Sequence, residues 1–261
     1  MPIDDTFRIH CLGHWRQRHV RIFFSNHDYA LPGPLLRRAQ EFWAERLTKF
    51  PHFFNGALCR LEKYEATPDT LHLHLSRTCY RDLLFCNERV QEILEAFDEA
   101  SLVRALGISV IIETADGFLP LMQRSQTLGE GAGLIDVFGG HVHPDDHARN
   151  GVPDVFHAIA DELHTELNLT SEDFDEIYCV GLLENWQTRK PELIFETKIK
   201  LTFDELREKA RHAKEGDEYV EILAVTAKPQ EIKTFLKRDA EKFTPVGHGC
   251  LILFGLLHKW W

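Results

Sequence analysis

An α/β fold is predicted for this chain by three observations. Short β-branched or apolar runs alternate with longer stretches in which apolar residues recur at helical spacing. Gly, Pro and Asp clusters punctuate the junctions. No internal repeat or low-complexity tract interrupts the pattern. The 261 residues suffice for one large domain, or for a catalytic domain with a second module of roughly 100 residues.

The elements follow in order. Residues 7–33 mix short apolar runs such as 20–24 with Asn26, Asp28, Pro32 and Gly33, which reads as strand followed by loop. Pro34 opens a helix whose Leu35, Leu36, Ala39, Phe42, Trp43 and Leu47 keep helical spacing until Pro51 closes it. Stretches 58–65 and 70–76 make a strand pair around Thr67-Pro68-Asp69, and 87–106 is helical. At Gly107 the character changes, since 108–114 and 118–124 read as two strands joined at Asp116-Gly117. This sets a module boundary, with an N-terminal α+β module at 1–106 packed on a second domain at 107–261. Beyond it come a loop with Gly129, Gly131 and Gly133, a strand to Phe138, a turn, and a helix over 154–168. Strands follow at 177–183 and 193–201. Thr202 and Glu205 have capping-box spacing for a helix over 203–212. A strand at 219–224 and helices at 229–237 and 249–259 complete the chain.

Charge narrows the partners. Thirty Lys+Arg against 41 Asp+Glu give a formal −11, which argues against a coat for nucleic acid or anionic lipid. An anionic substrate therefore needs a local cation, from Arg, Lys or bound metal. The six cysteines form no CxxC pair, which fits a reduced, cytoplasmic chain. The acidic start Met1-Pro2-Ile3-Asp4-Asp5 lacks the pattern of a signal peptide. The apolar run at 250–257 is too short to span a bilayer, so no membrane role is expected.

In the helix over 154–168, Phe156, Ile159, Leu163 and Leu167 make one narrow apolar stripe. Glu162 and Glu166, four residues apart, stand one above the other beside it. Two carboxylates so placed repel each other, and a hard divalent cation that prefers oxygen ligands would relieve the repulsion. Such a pair in an acidic chain is usually a solvated helix face. Here the context differs, because the preceding strand ends in Gly139-Gly140 and the helix ends in Asn168-Leu169. Glycines let backbone approach phosphate and metal closely, which makes Gly140 a candidate for the metal and Gly139 a candidate for the substrate.

The run Val137-Phe138-Gly139-Gly140-His141, with Ala158-Ile159-Ala160-Asp161-Glu162-Leu163-His164-Thr165-Glu166-Leu167-Asn168-Leu169, resembles a Nudix box. The first and last metal-binding glutamates of that box map onto Glu162 and Glu166. Asp161 replaces its Arg, Thr165 its middle Glu and Asn168 its Gly, and an insertion separates Gly140 from Glu162. An interrupted box of this kind is similar to the Nudix branch that hydrolyses UDP-glucose and UDP-galactose in animals, with plant relatives. Phe138 and His143 depart from that branch, which has a Pro and a carboxylate there. Further resemblance runs through Trp43, Arg46-Leu47, Arg60-Leu61, Thr78-Cys79-Tyr80-Arg81-Asp82, Asn87, Gln123-Arg124-Ser125 and 133–137.

The resemblance implies a Nudix-type α/β/α sandwich. It also implies a Mg²⁺-dependent (or Mn²⁺-dependent) hydrolase of a nucleoside diphosphate derivative, most specifically a UDP-sugar, giving UMP and sugar 1-phosphate. Glu162 and Glu166 are the expected catalytic and metal-binding pair. Arg81 and Arg124 are candidates for substrate phosphate, since a guanidinium pairs bidentately with phosphoryl oxygens, and Tyr80 is a candidate to stack on a base. Asp145, Asp146, Glu184 and Glu192 each could supply a third metal ligand or a general base. Two alternatives stay open: a Nudix-fold nucleotide-binding module without catalysis, and a zinc hydrolase built on the loop His141-Val142-His143-Pro144-Asp145-Asp146-His147. The partner expected is a small nucleotide; oligomeric state is not addressed by the sequence.

Overall fold

The computed structural model describes residues 5–261, so residues 1–4 of the acidic N-terminal stretch lie outside the described residues. Strands β1 (Phe7–Trp15) and β2 (Val20–Asp28) precede helix α1 (Gly33–Lys49), β3 (Ala57–Ala66), β4 (Leu71–Cys79) and α2 (Tyr80–Ala96). Then come β5 (Gly107–Glu113), β6 (Phe118–Arg124), β7 (Ile135–Asp136), β8 (Phe138–His141), β9 (Ala148–Arg149), β10 (Val152–Pro153) and α3 (Val155–Leu167). The remainder is β11 (Tyr178–Asn185), β12 (Lys190–Lys198), α4 (Phe203–Ala210), β13 (Tyr219–Thr226), α5 (Pro229–Asp239) and α6 (Pro245–Leu257).

A five-stranded mixed sheet, ordered β1-β11-β12-β5-β8, forms the centre; only β12 and β5 are parallel. Strand alternation gives it two apolar faces. Ile108, Val110 and Ile112 of β5 join Phe138 and Phe195 against Ile159, Leu163 and Leu167 of α3. Ile111, Val180 and Ile194 point the other way, against Val246, Cys250, Leu251 and Phe254 of α6. The result is an α/β/α sandwich. A second sheet, β13-β6-β7, and a third, β2-β4-β3, flank it. Helices α1 and α2 bury Leu35, Ala39, Leu83, Cys86 and Ile93 in a separate cluster beside the third sheet.

Four local expectations are corrected. The helix expected over 87–106 is α2, which starts at Tyr80. Leu83, Cys86, Val90 and Ile93 supply its buried stripe, and Asp82 in the first turn suits the helix dipole. It ends before Asp98, whose carboxylate instead caps a short 3₁₀ turn by accepting from Ser101 N. The strands around Asp116-Gly117 do not pair with each other: β5 enters the central sheet, whereas β6 pairs with β13 and β7. Gly139 and Gly140 are not a turn, because β8 continues through them opposite Ser109 and Ile108 of β5. The last helix begins at Pro245, with Thr244 accepting from Gly247 N, rather than at residue 249.

The expected boundary at 106 does not separate sheets. Strand β1 pairs with β11 in the central sheet. Cys59 of β3 is bonded to both Leu106 and Val142, and Trp15, Leu61, Leu71 and Leu73 share the apolar core under α3. Burial of one continuous core across both segments ties them together. All six cysteines are free. No helix among the described residues is long and apolar enough to cross a membrane.

Candidate functional site

Helix α3 is specified at both ends. Asp154 caps its start by accepting from Phe156 N at 3.0 Å and His157 N at 3.2 Å, an interaction worth ~1 kcal/mol. Asn168 closes it in the left-handed conformation, φ 57°, with its N–H returned to His164 O and Leu163 O, which is how an Asn replaces Gly at that position. The apolar stripe between them seats α3 on the sheet and turns Glu162 and Glu166 towards β8.

Glu166 is 1% exposed. Its Oε2 accepts from Gly139 N at 2.9 Å, whereas Oε1 is buried without a hydrogen-bond partner. Glu162 accepts from the backbone N–H of His141. A Cβ on Gly140 would overlap the Glu162 carboxylate, so only glycine leaves that carboxylate its place against β8. Gly139, at φ 148°, meets the backbone of Ile108 so closely that a side chain there has no room.

Glu215 and Glu218 bring further negative charge. The turn that carries Glu215 is docked by Glu215 N donating to Thr165 O, and Tyr219 OH donates to Glu166 O at 3.1 Å. Burial, then Glu215 and Glu218, push Glu162 up to about 8. Burial, then Glu162 and Glu218, hold Glu166 well above the usual carboxylate range. A buried acceptor with no donor, next to a second carboxylate and an acidic neighbourhood, is the environment a divalent cation satisfies. Among the described residues no three His, Cys, Asp or Glu side chains form a ready-made ligand group. The donor set still suits Mg²⁺, which keeps several waters and is commonly held by one or two carboxylates together with substrate phosphates.

Gly139 and Gly140 also line a cleft of about 370 Å³ between β5, β8, β12 and the start of α6. Neither Glu162 nor Glu166 lines it; the Gly139-Gly140 backbone stands between them and the cleft. Its walls carry paired charge. Glu192 is 4% exposed, accepts from Ser109 Oγ at 2.7 Å and keeps Oε2 without a hydrogen bond. Burial pushes Glu192 up to about 7 against the pull of Lys190. Gly107 opposite makes room for its carboxylate, since a Cβ there would overlap it. Burial works against the charge of Lys190, but Glu130 and Glu192 more than offset it, so its pKa is raised. Another cleft, about 280 Å³ around His14, Tyr178 and Glu196, has none of the box residues in its walls.

The expected site residues separate into groups. Gly139, Gly140 and Arg124 line the cleft. Arg124 is already engaged, with Glu130 O at 3.3 Å and Asp136 at 3.5 Å. Tyr80 stands behind the rim, its hydroxyl against Gly129 and its ring edge-on to His141, Trp43 and Phe53. Arg81 turns to Asp82 at 2.6 Å and does not line the cleft. Of the four loose carboxylates, only Glu192 reaches it; Glu184 pairs with His10 and Asp145 with Arg77, while Asp146 lies 3.7 Å from His143.

The histidine loop does not gather as a zinc site. His147 Nδ1 accepts from His143 N at 3.0 Å and its Nε2 faces Asp161, whereas His141 turns into the cleft, where burial and Lys190 push it down to about 3. Sequence reading missed Lys190, Glu130, Ser109 and Asp136. The available signal was Lys190 and Glu192 two apart on one strand, which places both on one face. Glu130 was visible only as part of a glycine-rich loop.

No family model matches the chain. It is similar to the uridine diphosphate glucose pyrophosphatases of Mus musculus, 29% identical over 63% of this chain and 62% of that protein, and of Homo sapiens, 26% over 81% and 78%. The Bos taurus protein of the same name is 29% identical over 55% of this chain and 58% of its own length. The chain thus matches about six-tenths of the mouse and bovine relatives. Among solved structures it overlaps a NUDIX hydrolase from Nitrosomonas europaea, at 16% identity, 58% of this chain, 88% of that one and TM-score 0.35. It also overlaps a bifunctional NMN adenylyltransferase/ADP ribose pyrophosphatase from Francisella tularensis, at 15% identity, 70% of this chain, 49% of that one and TM-score 0.40. The resemblance to UDP-glucose-hydrolysing proteins expected from sequence agrees with the names of the mammalian relatives.

Proposed function

We propose that this chain is a Nudix-type hydrolase of the pyrophosphate bond in a nucleoside diphosphate derivative. The substrate proposed is a UDP-sugar, with UMP and sugar 1-phosphate as products. The observation that carries the reading is the orphaned, buried Oε1 of Glu166 beside Glu162, separated from a polar cleft by two residues without side chains. The choice of a UDP-sugar follows the activity in the names of the mammalian relatives. The proposed site is cytoplasmic and takes a small nucleotide.

Glu162 and Glu166 would hold Mg²⁺ or Mn²⁺, with backbone at Gly140 approaching it. Such an ion supplies positive charge against a diphosphate and Lewis acidity towards the attacked phosphorus. The protein's own groups do the rest. Gly139 N–H fixes Glu166, and Gly140 leaves Glu162 its position. Arg124 and Lys190 provide positive charge at the cleft wall, and Glu192, near 7, is placed to accept or return a proton there. Net hydrolysis adds water across one P–O–P bond, so that each phosphorus leaves as a monoester.

The test is product analysis on UDP-glucose, UDP-galactose, ADP-ribose, NADH and dinucleoside polyphosphates, with and without Mg²⁺. UMP and sugar 1-phosphate formed only with Mg²⁺, and lost in Glu166→Gln, are the expected result. Nucleotide-dependent thermal stabilisation without turnover on any substrate would overturn the hydrolase in favour of a binding module.

A further inference from the structure

The cleft contains a feature that the glutamate pair does not explain. Three nitrogen groups from three different elements converge on one carboxylate. Asn87 Nδ2 of α2 donates to Glu130 Oε1 at 2.8 Å. Lys190 Nζ of β12 lies 3.5 Å from Oε1 and 3.4 Å from Oε2. His141 Nε2 of β8, which has no hydrogen-bond partner, is 3.5 Å from Oε2. The groups that converge belong to regular elements, whereas Glu130 belongs to the loop between β6 and β7. Asn87, Glu130, His141 and Lys190 all line the cleft, beside Gly139 and Gly140.

Three convergent nitrogens, one of them an ammonium, describe a receptor for an oxyanion. Glu130 satisfies it imperfectly. Only one of the contacts has the length of a good hydrogen bond, and the Lys190 distances exceed the 2.7–2.9 Å of a well-made ammonium–carboxylate bond. A phosphoryl group offers three oxygens where the carboxylate offers two. In an acidic chain that must bind an anion, a loop carboxylate in this place also keeps the buried ammonium neutralised when no anion is present.

We propose that Asn87, His141 and Lys190 form a phosphoryl-binding subsite, and that Glu130 is its displaceable internal occupant, competing with the substrate until its loop withdraws. This rests on the reading of the chain as a binder of nucleoside diphosphate derivatives, and it identifies the part of the cleft that receives the phosphate.

The experiment is calorimetric titration with inorganic pyrophosphate in the presence of a chelator, so that neither turnover nor the nucleoside enters. Glu130→Gln keeps an oxygen for Asn87 and removes the competing charge; it should bind pyrophosphate about tenfold tighter than wild type, because apparent affinity scales with the fraction of subsites left unoccupied. Lys190→Met should bind it about tenfold more weakly, through the loss of the one ammonium in the receptor. Thermal unfolding checks that each variant is folded. Should Glu130→Gln not fold, Glu130→Asp, which keeps the charge but retracts it, should still tighten binding.

A folded Glu130→Gln, or Glu130→Asp in its stead, that binds pyrophosphate no better than wild type overturns the proposal, as does a folded Lys190→Met with wild-type affinity. Failure of the substrate panel would leave these titrations readable, and their failure would leave the panel readable. The two readings therefore fall separately.

Discussion

Glu166 and Glu192 are the same residue type, almost equally buried, on opposite sides of the β5–β8 edge of one sheet, and their surroundings differ in charge balance. Around Glu166 stand Glu162 and Glu218, with Glu215 acting on both of these, and the Gly139 N–H and Arg124 act against them. Around Glu192 stand Lys190 and the Ser109 hydroxyl, within a network in which Glu130 and Asp136 face Lys190 and Arg124. The first region has carboxylates in excess and can be completed only by a cation or by protons. In the second, Lys190 and Arg124 offset most of the acidic charge from within, so whatever enters must exchange for a partner already present. Burial alone therefore does not say what a carboxylate is for; the sign of the uncompensated charge does.

The largest effect expected from breaking the first region is on catalysis. Glu166→Gln should lower turnover about a hundredfold or more, since loss of metal removes several kcal/mol of stabilisation. Circular dichroism should show the fold unchanged. Next in size is the response to metal. Mg²⁺ at a hundredfold excess over its Kd should stabilise wild type by ~2.7 kcal/mol, seen as a rise in Tm of about 5–10 °C for a chain of this size, and should leave Glu166→Gln unmoved. An equal shift in both would detach the metal from this pair.

The second region should break through stability instead. Gly107→Ala, whose methyl intrudes on the Glu192 carboxylate, should cost ~1–3 kcal/mol by dislodging a buried network, with no dependence on Mg²⁺. If instead it abolishes Mg²⁺ binding, the two regions are one.

Acidity provides a gentler separation. Glu162 is raised from 4.5 to about 8, so the folded chain retains a proton that the unfolded chain has released, and stability falls as pH rises between those values. Metal-free Tm should therefore decline from pH 5 to 8, and Mg²⁺ should flatten the decline. A metal-free Tm that rises over this range would contradict the acidic excess. The smallest change is Ser109→Ala, which removes the 2.7 Å bond to Glu192 and should cost ~1 kcal/mol while leaving Glu162 and Glu166 untouched.

The first region was legible in sequence because its parts are close in the chain. The i, i+4 carboxylates, the Asp154 cap and the Asn168 end all follow from helical periodicity, and Gly139-Gly140 stood out as a pair without side chains. Even so, the local sequence at the glycines predicts a turn where the structure has a strand. Their strand pairing with β5 spans some thirty residues, and no local signal announces it. The same limit explains Tyr80, Arg81 and Asp82, which lie ahead of the helix expected over 87–106 and form the first turn of α2. There Arg81 is spent on its neighbour and Tyr80 on an aromatic cluster.

The second region was largely illegible. Asn87, His141 and Lys190 come from three separate elements and Glu130 from a loop, and each alone is an ordinary polar residue. Sequence by itself determined the α/β character, the helix that carries Glu162 and Glu166, and the spacing that opposes their charges, because these depend on periods of two and 3.6 residues along the chain. Only the tertiary structure decided that β1 joins the central sheet, that Glu192 rather than Glu184 reaches the cleft, and that a loop carboxylate sits on Lys190. Those outcomes depend on which distant groups are desolvated together, and desolvation sets the strength of every charge in the site.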